Sequence, residues 1–335
     1  MARILIYEPA FRRIRQRLAA AGLPVEPVVM SPDGALSLAG RPLAAEDARP
    51  DAGWVSSEVF SGPTRAFMVA LLKSTALAWV QSGAAGIDDP VFARFVAKGA
   101  KLTTNHAQAD SIAEHVMAGV LDHFQRGPER RAAQAERLWR PLPFQEVSGG
   151  AWMVFGFGAI GQAVARRAGA FGARIVAVGR TPGVHPLAER FVGPAELHGA
   201  LPDVDVVVLC APLTGATASI AGEAFFARMK PGSVFVNVAR GGLVDEDALW
   251  RGLDRGAPGH AILDVFRTEP LPAESPFWND PRISLTPHAA AAGSGRAGRG
   301  DALFLENLSR FVRAAPLLNE VSPRDLPGAA SAPGT

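Results

Sequence analysis

The fold is decided by residues 151–178, which read AWMVFGFGAIGQAVARRAGAFGARIVAV. A short apolar run leads into a glycine-rich turn, a helical stretch follows, and a second apolar run ends the segment. Gly156 permits the tight turn, Gly158 leaves room for a phosphate against the backbone, and Gly161 lets the helix and strand pack closely. The start of the helix offers free N–H groups and a partial positive charge. The segment therefore predicts a βαβ unit that binds the pyrophosphate of a dinucleotide.

The end of the second strand, Val178–Pro182, decides which dinucleotide is expected. An NAD site usually has a carboxylate there, which bonds the ribose 2′-hydroxyl. This chain has Gly179, Arg180 and Thr181 instead. Arg180 would neutralise a 2′-phosphate and Thr181 could donate a hydrogen bond to it, whereas a carboxylate would repel it. We expect NADP(H) as the preferred cofactor, and NAD(H) stays open.

Short apolar runs alternate with amphipathic runs along the chain, which is typical of parallel α/β architecture. The predicted strands are Arg3–Tyr7, Val25–Val29, Asp51–Val55, Leu77–Gln81, Lys101–Thr103, Ala151–Phe155, Arg174–Val178, Asp205–Cys210, Ser233–Val238, His260–Asp264 and Ile283–Thr286. The predicted helices include Phe11–Ala21, Pro90–Ala97, Ser111–Phe124 and Asp301–Arg313. Ser111 and Glu114 form a capping-box pattern for the third helix, and Gly127-Pro128 predicts its end.

The composition excludes several classes of protein. The formal net charge is +2 and the arginines are scattered, so nothing favours binding of nucleic acid. The single cysteine, Cys210, excludes an intrachain disulfide and reads as a small core residue. We expect no signal peptide and no membrane span, and therefore a cytoplasmic protein. We also expect no metal site.

Several separate motifs follow one another in the order and spacing of a known family. They are SGAAGID at 82–88, the glycine turn, PLT at 212–214, NVARGGLVD at 237–245, DVFRTEPLP at 264–272 and TPH at 286–288. Over residues 50–320 the chain resembles the D-2-hydroxyacid dehydrogenase family. The run SPFW at 275–278 and the second strand without a carboxylate resemble the glyoxylate/hydroxypyruvate reductase branch.

The resemblance implies an α/β protein of two domains. A Rossmann-type dinucleotide-binding domain would be inserted in a smaller, flavodoxin-like substrate domain. The expected division is 1–102 for the first part of the substrate domain, 103–290 for the NAD(P)-binding domain, 291–323 for a returning helix of the substrate domain, and 324–335 for a disordered tail.

Three residues have the chemistry that reduction of a 2-keto acid needs. Arg240 and His288 each follow a predicted strand, where ligands bind in open α/β sheets. The guanidinium of Arg240 suits the carboxylate and carbonyl of a keto acid, and His288 is a natural proton donor near neutral pH. Glu269 would favour the charged imidazolium and fix its orientation. In the family, the residues that match these three form the catalytic trio.

The resemblance extends the site beyond the trio. The predicted cofactor-binding residues are Gly156, Gly158, Ala159, Ile160, Gly161, Gly179, Arg180, Thr181, Cys210, Ala211, Pro212, Val238, Ala239, Asp264 and His288. The predicted substrate-binding residues are Ser56, Ser57, Glu58, Arg240 and His288. In the family, the residue that matches Asp264 helps to hold the nicotinamide end. A loop matching 56–59 offers backbone N–H groups to the substrate carboxylate.

The predicted function is NADPH-dependent reduction of a small 2-keto acid, of the glyoxylate or hydroxypyruvate type, to the D-2-hydroxy acid. The alternatives are another acid of the same family (a phosphorylated hydroxy acid, phosphite or formate) and a non-catalytic, dinucleotide-sensing corepressor. A homodimer is expected. Trp139 resembles a tryptophan that some relatives insert across a dimer interface, but it also fits a core aromatic. Arg267, two residues from Glu269, would either face solvent or attract an acidic substrate group.

Overall fold

The computed structural model describes residues 1–87, 89–180, 183–322 and 326. The chain forms two compact units. Met1–Gln108 together with the chain from Ser294 onward makes the first, which we call the terminal unit, and Ala109–Gly293 makes the second, the central unit. The sequence placed these boundaries at 102/103 and 290/291. The predicted disordered tail, 324–335, lies outside the described residues except for Leu326.

Both units are built from strands and helices in alternation. The strands are β1 (Ala2–Tyr7), β2 (Val25–Met30), β3 (Leu36–Leu38), β4 (Arg41–Leu43), β5 (Ala52–Val55), β6 (Trp79–Ser82), β7 (Lys101–Thr103), β8 (Ala151–Phe155), β9 (Arg174–Val178), β10 (Arg190–Val192), β11 (Val206–Leu209), β12 (Val234–Asn237), β13 (His260–Leu263) and β14 (Ile283–Leu285). The helices are α1 (Glu8–Ala20), α2 (Ala45–Ala48), α3 (Thr64–Lys73), α4 (Pro90–Ala97), α5 (Ala109–Phe124), α6 (Gly127–Ala135), α7 (Ala159–Ala170), α8 (Leu197–Ala200), α9 (Glu223–Phe226), α10 (Glu246–Asp254) and α11 (Arg296–Val312).

The terminal unit contains a sheet of order β4-β3-β2-β1-β5-β6-β7. Strands β2, β1, β5, β6 and β7 are parallel, and their chain order, 2-1-3-4-5, is that of the flavodoxin type. The short strands β3 and β4 extend one edge in antiparallel fashion. The predicted flavodoxin-like substrate domain has the right topology, with this added hairpin.

The returning helix α11 completes the core of the terminal unit. Phe304 on this helix is fully buried and stacks on Trp54 of β5, with ring centroids 4.2 Å apart and an interplanar angle of 7°. Phe304 also stacks on Trp79 of β6 at 5.9 Å. Aromatic pairs of this kind add about 0.5–1.5 kcal/mol beyond the area they bury. Helix α11 is therefore an integral part of this core.

The central unit contains a sheet of order β10-β9-β8-β11-β12-β13-β14, and every pairing in it is parallel. This is the Rossmann order 3-2-1-4-5-6 with one further strand. Strands β8, β11, β12 and β13 are buried along their whole length, as expected for strands covered by helices on both faces. The predicted fold class, α/β with a Rossmann-type domain inserted in the chain, is confirmed.

Some predicted helix ends are wrong. Helix α5 begins at Ala109, so Ser111 is its third residue and does not cap it. The side chain of Ser111 is instead packed against Gly293, where an added Cβ would lie 2.1 Å from the hydroxyl oxygen. The predicted end of α5 at Phe124 is confirmed, but Pro128 also lies in the first turn of a further helix, α6, which was not predicted. Helix α11 begins at Arg296 and not at Asp301.

Candidate functional site

The predicted cofactor-binding residues that the structure describes lie at one edge of the central sheet. Since its strands are all parallel, the residues that follow them share the carboxyl edge, where open α/β sheets bind ligands. After β8, β9, β11, β12, β13 and β14 come, in turn, Gly156 to Gly161, Gly179 and Arg180, Cys210 to Pro212, Val238 and Ala239, Asp264, and His288. Thr181 lies outside the described residues.

The glycine turn has the geometry that a dinucleotide needs. Gly156 has φ +94°, and an added Cβ would lie 2.5 Å from the nitrogen of Ala211. A Cβ at Gly161 would lie 2.1 Å from the carbonyl oxygen of Gly156, so only glycine lets α7 start this close to the strand. At Gly158, the N-cap of α7, an added Cβ would meet nothing within 4 Å. This open space at the start of a helix, whose first N–H groups have no acceptor within the helix, fits a pyrophosphate.

The turn after β9 has no acidic residue. Gly179 lies against the ring of Phe191, where an added Cβ would be 2.9 Å from two ring atoms. Arg180 follows with an exposed side chain. The stretch Val178–Pro182 thus contains a cation and no carboxylate, as the sequence shows.

Strand β11 ends against the glycine turn. The N–H of Cys210 donates to the carbonyl oxygen of Phe155 at 2.7 Å, which fixes the turns after β8 and β11 side by side. Cys210 packs against the core of the central unit, and burial raises the pKa of its thiol to about 12. The thiol therefore stays protonated, in agreement with its predicted role as a small core residue.

His288 and Glu269 form a hydrogen-bonded pair. The Nδ1 atom of His288 lies 2.8 Å from Oε2 of Glu269, and the other carboxylate oxygen accepts the N–H of Phe266 at 3.0 Å. Burial raises the pKa of Glu269, but the bonds from His288 and Phe266 and the charge of Arg240 outweigh burial, so the pKa lies below its ordinary value. An ionised carboxylate can only accept, so Nδ1 carries a hydrogen and Nε2 is left for a substrate.

Asp264 holds the backbone around His288. His288 has a left-handed φ of +51°, and its N–H donates to the carbonyl oxygen of Asp264 at 2.8 Å. The carboxylate of Asp264, only 2% exposed, accepts the N–H groups of Ala289 and Ala290 at 2.8 and 3.0 Å and the hydroxyl of Thr286 at 2.6 Å. These bonds assign to Asp264 a structural task that the sequence did not predict, namely fixing the turn that carries His288.

Arg240 lies in a turn that is fixed from two sides. The buried amide of Asn237, at the end of β12, donates to the carbonyl oxygen of Arg240 at 2.9 Å and accepts the N–H of Ala239 at 3.1 Å. At Gly241 an added Cβ would lie 1.9 Å from the carbonyl carbon of Phe266, so this turn packs directly on the turn that precedes Glu269. Asn237 thus has a structural role that its place in the NVARGG motif alone does not indicate.

The predicted substrate loop, residues 56–58, lies in the terminal unit. It follows β5 and continues into a 3-10 turn, Ser57–Ser61. Gly83 packs against it, because its N–H donates to the carbonyl oxygen of Val55 at 2.6 Å and an added Cβ would lie 2.7 Å from the nitrogen of Ser57. The carboxylate of Glu58 pairs with Arg13 of α1.

The structure shows the surroundings of Trp139 and Arg267, for each of which the sequence left two interpretations open. Trp139 is fully exposed, so the interpretation as a core aromatic is wrong. The guanidinium of Arg267 donates to the hydroxyl of Ser219 at 3.2 Å, and its backbone N–H donates to Glu246 at 2.8 Å. Arg267 therefore ties two loops of the central unit together.

Neither a metal-binding cluster nor a membrane-spanning helix is present among the described residues. In that part of the chain no group of three or more His, Cys, Asp or Glu side chains could hold a metal ion. None of the described helices is both long enough and apolar enough to cross a membrane.

One known protein family matches most of the central unit. The family described as "D-isomer specific 2-hydroxyacid dehydrogenase, NAD binding domain" matches residues 117–290. Glyoxylate/hydroxypyruvate reductase A of Serratia proteamaculans is 35% identical over 183 residues, which are 55% of this chain and 58% of the relative. The protein of the same name from Salmonella paratyphi B is 36% identical over 181 residues, 53% of this chain and 57% of the relative. The chain thus spans less than two thirds of the length of these curated relatives.

Solved structures match over nearly the whole chain. A D-isomer specific 2-hydroxyacid dehydrogenase from Xanthobacter autotrophicus Py2, in complex with NADPH and MES, has a TM-score of 0.77 and 27% identity, covering 96% of this chain and 98% of that one. An NADPH-dependent glyoxylate/hydroxypyruvate reductase from Sinorhizobium meliloti, in complex with NADP and sulfate, has a TM-score of 0.73 and 26% identity over the same shares. The resemblance inferred from the motifs is confirmed, and the chain belongs to the D-isomer-specific 2-hydroxyacid dehydrogenase family, whose NAD-binding domain is its central unit.

Proposed function

We propose that this protein reduces small 2-keto acids of the glyoxylate and hydroxypyruvate type to D-2-hydroxy acids, with NADPH as the preferred reductant. The observation that carries the proposal is the hydrogen-bonded pair of His288 and Glu269 at the carboxyl edge of a dinucleotide-binding sheet, with the charge of Arg240 close enough to act on Glu269. The names of the relatives from Serratia and Salmonella support the same chemistry.

His288 is the proposed proton donor. When bound, the reduced nicotinamide supplies the hydride for the carbonyl carbon of the substrate. His288 gives the proton on Nε2 to the carbonyl oxygen, which becomes the new hydroxyl group. Glu269 accepts the Nδ1 hydrogen at 2.8 Å, which orients the ring and stabilises the imidazolium before the proton leaves. In the oxidative direction His288 takes the proton back.

Arg240 is the proposed cation for the substrate. Negative charge grows on the carbonyl oxygen as the reaction proceeds, so a fixed guanidinium stabilises the transition state more than the ground state. The bonds of Asn237 and the close packing of Gly241 hold the backbone of Arg240, which lowers the cost of orienting its side chain. The planar fork can contact the carboxylate and the carbonyl oxygen together.

NADP(H) is the proposed cofactor. The glycine turn would hold the pyrophosphate, and Arg180 with Thr181 would bind the 2′-phosphate. The turns after β11, β12 and β13 would line the rest of the dinucleotide, through Cys210, Ala211, Pro212, Val238, Ala239 and Asp264. Both solved relatives above hold NADPH or NADP, which supports this preference over NAD(H).

Two further parts of the proposal concern the substrate loop and Trp139. Backbone N–H groups of the substrate loop would bind the substrate carboxylate. The full exposure of Trp139 supports a contact with a second copy of the chain, and therefore a homodimer.

The experiment that tests the proposal is a substrate panel with both reduced cofactors, in which oxidation of the cofactor is monitored by absorbance at 340 nm. Glyoxylate and hydroxypyruvate should be reduced with NADPH, and the product should be the D isomer. His288→Asn should lose at least about 1000-fold in kcat, in line with the range for general acid catalysis, while it still binds NADPH. Turnover confined to a phosphorylated hydroxy acid, phosphite or formate would overturn the substrate class. Binding of NADPH without turnover of any acid would favour a sensing role.

A further inference from the structure

The substrate loop is held by an ion-pair network that has no part in the function described so far. Arg13 of α1 donates to both oxygens of Asp301 on α11, at 3.0 and 3.2 Å, and also pairs with Glu58 of the loop. Asp301 is only 4% exposed, and Arg17 pairs with it from the next turn of α1 at 2.9 Å. Arg13 is therefore the link between the loop and two helices of the terminal unit.

Glu58 carries a negative charge in a place that should bind an anion. Burial raises the pKa of Glu58, but hydrogen bonds within the loop and the charge of Arg13 outweigh burial and lower the pKa below its ordinary value. The carboxylate is therefore ionised near neutral pH. An uncompensated charge of this kind would repel the carboxylate of a keto acid that approaches the loop.

The location of Arg13 fits the task of compensating this charge. Arg13 lines a small recess together with Ser56 and Ser57 of the loop, and Asn105 and Arg296 line the same recess. The recess holds about 10 Å³, which is close to the space that one water-sized group occupies. Arg13, which neutralises Glu58, thus lies beside the same small recess as the loop.

We propose that Arg13 is a positioning residue for the substrate: it neutralises Glu58 and ties the substrate loop to α1 and α11, so that the loop accepts a carboxylate. The inference rests on the proposed function and goes further, because neither the motifs nor the family match involve Arg13. Loss of Arg13 should change the KM for the substrate and not kcat, because Arg13 contacts the loop and none of the three proposed catalytic residues lies in the terminal unit.

Arg17 provides a matched control. It is on the same helix and pairs with the same buried carboxylate, and among the described residues Asp301 is its one ion-pair partner. Arg13→Gln and Arg17→Gln therefore weaken the same contact with Asp301, whereas only the first leaves Glu58 uncompensated.

The test is steady-state kinetics with glyoxylate at saturating NADPH, together with the Tm of each variant. Arg13→Gln should raise the KM for glyoxylate by about tenfold, with kcat and the KM for NADPH within about twofold, whereas Arg17→Gln should leave all three within about twofold. Arg13→Lys, which keeps the charge, should recover most of the KM. The double variant Arg13→Gln/Glu58→Gln should also recover it, because the repelling charge of the side chain is gone while the backbone N–H groups proposed to bind the substrate are kept. If Arg13→Gln does not fold, Arg13→Gln/Asp301→Asn removes the buried charge that Arg17 alone would have to compensate and should show the same rise in KM.

Three outcomes would overturn the inference while leaving the proposed function intact: an unchanged KM in Arg13→Gln, an equal rise in Arg17→Gln, or no recovery in the double variant with Glu58→Gln. Failure of the wild-type protein to reduce any keto acid would instead overturn the proposed function. The wild-type assay therefore separates the two failures before any variant is compared.

Discussion

Glu269→Gln keeps the shape of the side chain and removes the charge that faces His288. The Nδ1–H of His288 then faces a neutral amide oxygen instead of a carboxylate, and charge-assisted bonds such as this one of 2.8 Å contribute about 1.5–3 kcal/mol. Water screens the pair, because the side chains of His288 and Glu269 are 50% and 36% exposed, so we take the lower end of that range. A loss of about 1.4 kcal/mol corresponds to a tenfold fall in kcat/KM.

The pH profile gives a second readout of the same change. The pKa of Glu269 lies below its ordinary value, so its carboxylate stays ionised from neutral pH down into the acidic range. The deficit of Glu269→Gln relative to the wild type should therefore persist across the measured pH range. The assay is initial-rate reduction of glyoxylate with NADPH over pH 5 to 9, in buffers of constant ionic strength.

Glu246→Gln is the matched control for this experiment. Glu246 accepts the N–H of Arg267 at 2.8 Å, as Glu269 accepts that of the neighbouring Phe266 at 3.0 Å. Both carboxylates hold the same turn, but only Glu269 contacts His288. Equal effects of the two substitutions, or a Glu269→Gln variant with the rate and pH profile of the wild type, would refute the reasoning and reduce Glu269 to a support of the turn.

Three further predictions follow from the central unit. Arg180→Ala should raise the KM for NADPH by at least about tenfold and change that for NADH by less than twofold, and equal changes would remove the 2′-phosphate assignment. Gly158→Ala should keep the Tm but weaken NADPH binding, since its Cβ enters open space at the start of α7, whereas Gly161→Ala should lower the Tm because its Cβ would lie 2.1 Å from a carbonyl oxygen. Burial and the charge of His123 lower the pKa of His260 from 6.5 to about 4, so the unfolded chain binds more protons in this window and the free energy of unfolding should fall as pH drops from 6.5 to about 4. In urea titrations, the free energy of unfolding of His260→Gln should fall by about 2–3 kcal/mol less over this pH range than that of the wild type. An equal pH dependence in the two proteins would contradict the assignment.

The sequence predicts those parts of the fold whose signals are local. The strands Ala151–Phe155 and Arg174–Val178 have the predicted bounds, because each is a continuous apolar run flanked by turn signals. Strands β3 and β4 were not predicted, since LSL and RPL are too short for a period of two to show and one contains a proline. The predicted start of α5 at Ser111 was wrong, because in the sequence a serine before an apolar run looks the same whether it caps a helix or packs against a glycine.

The same distinction between local and long-range signals applies to the candidate site. Arg240, Glu269 and His288 could be proposed together because parallel strands bring their carboxyl ends to one edge, so spacing along the chain translates into proximity. No such rule connects Arg13 with Glu58, 45 residues away, or with Asp301, 288 residues away. Read from the sequence alone, Glu58 is a negative charge in a loop meant for a carboxylate, which argues against the assignment of that loop. Only the fold supplies the compensating cation, and it does so by packing the first helix of the chain against the last. The charge of a binding loop is thus a property of the folded unit, and the kinetics of Arg13→Gln and Arg17→Gln measure whether that property matters for the substrate.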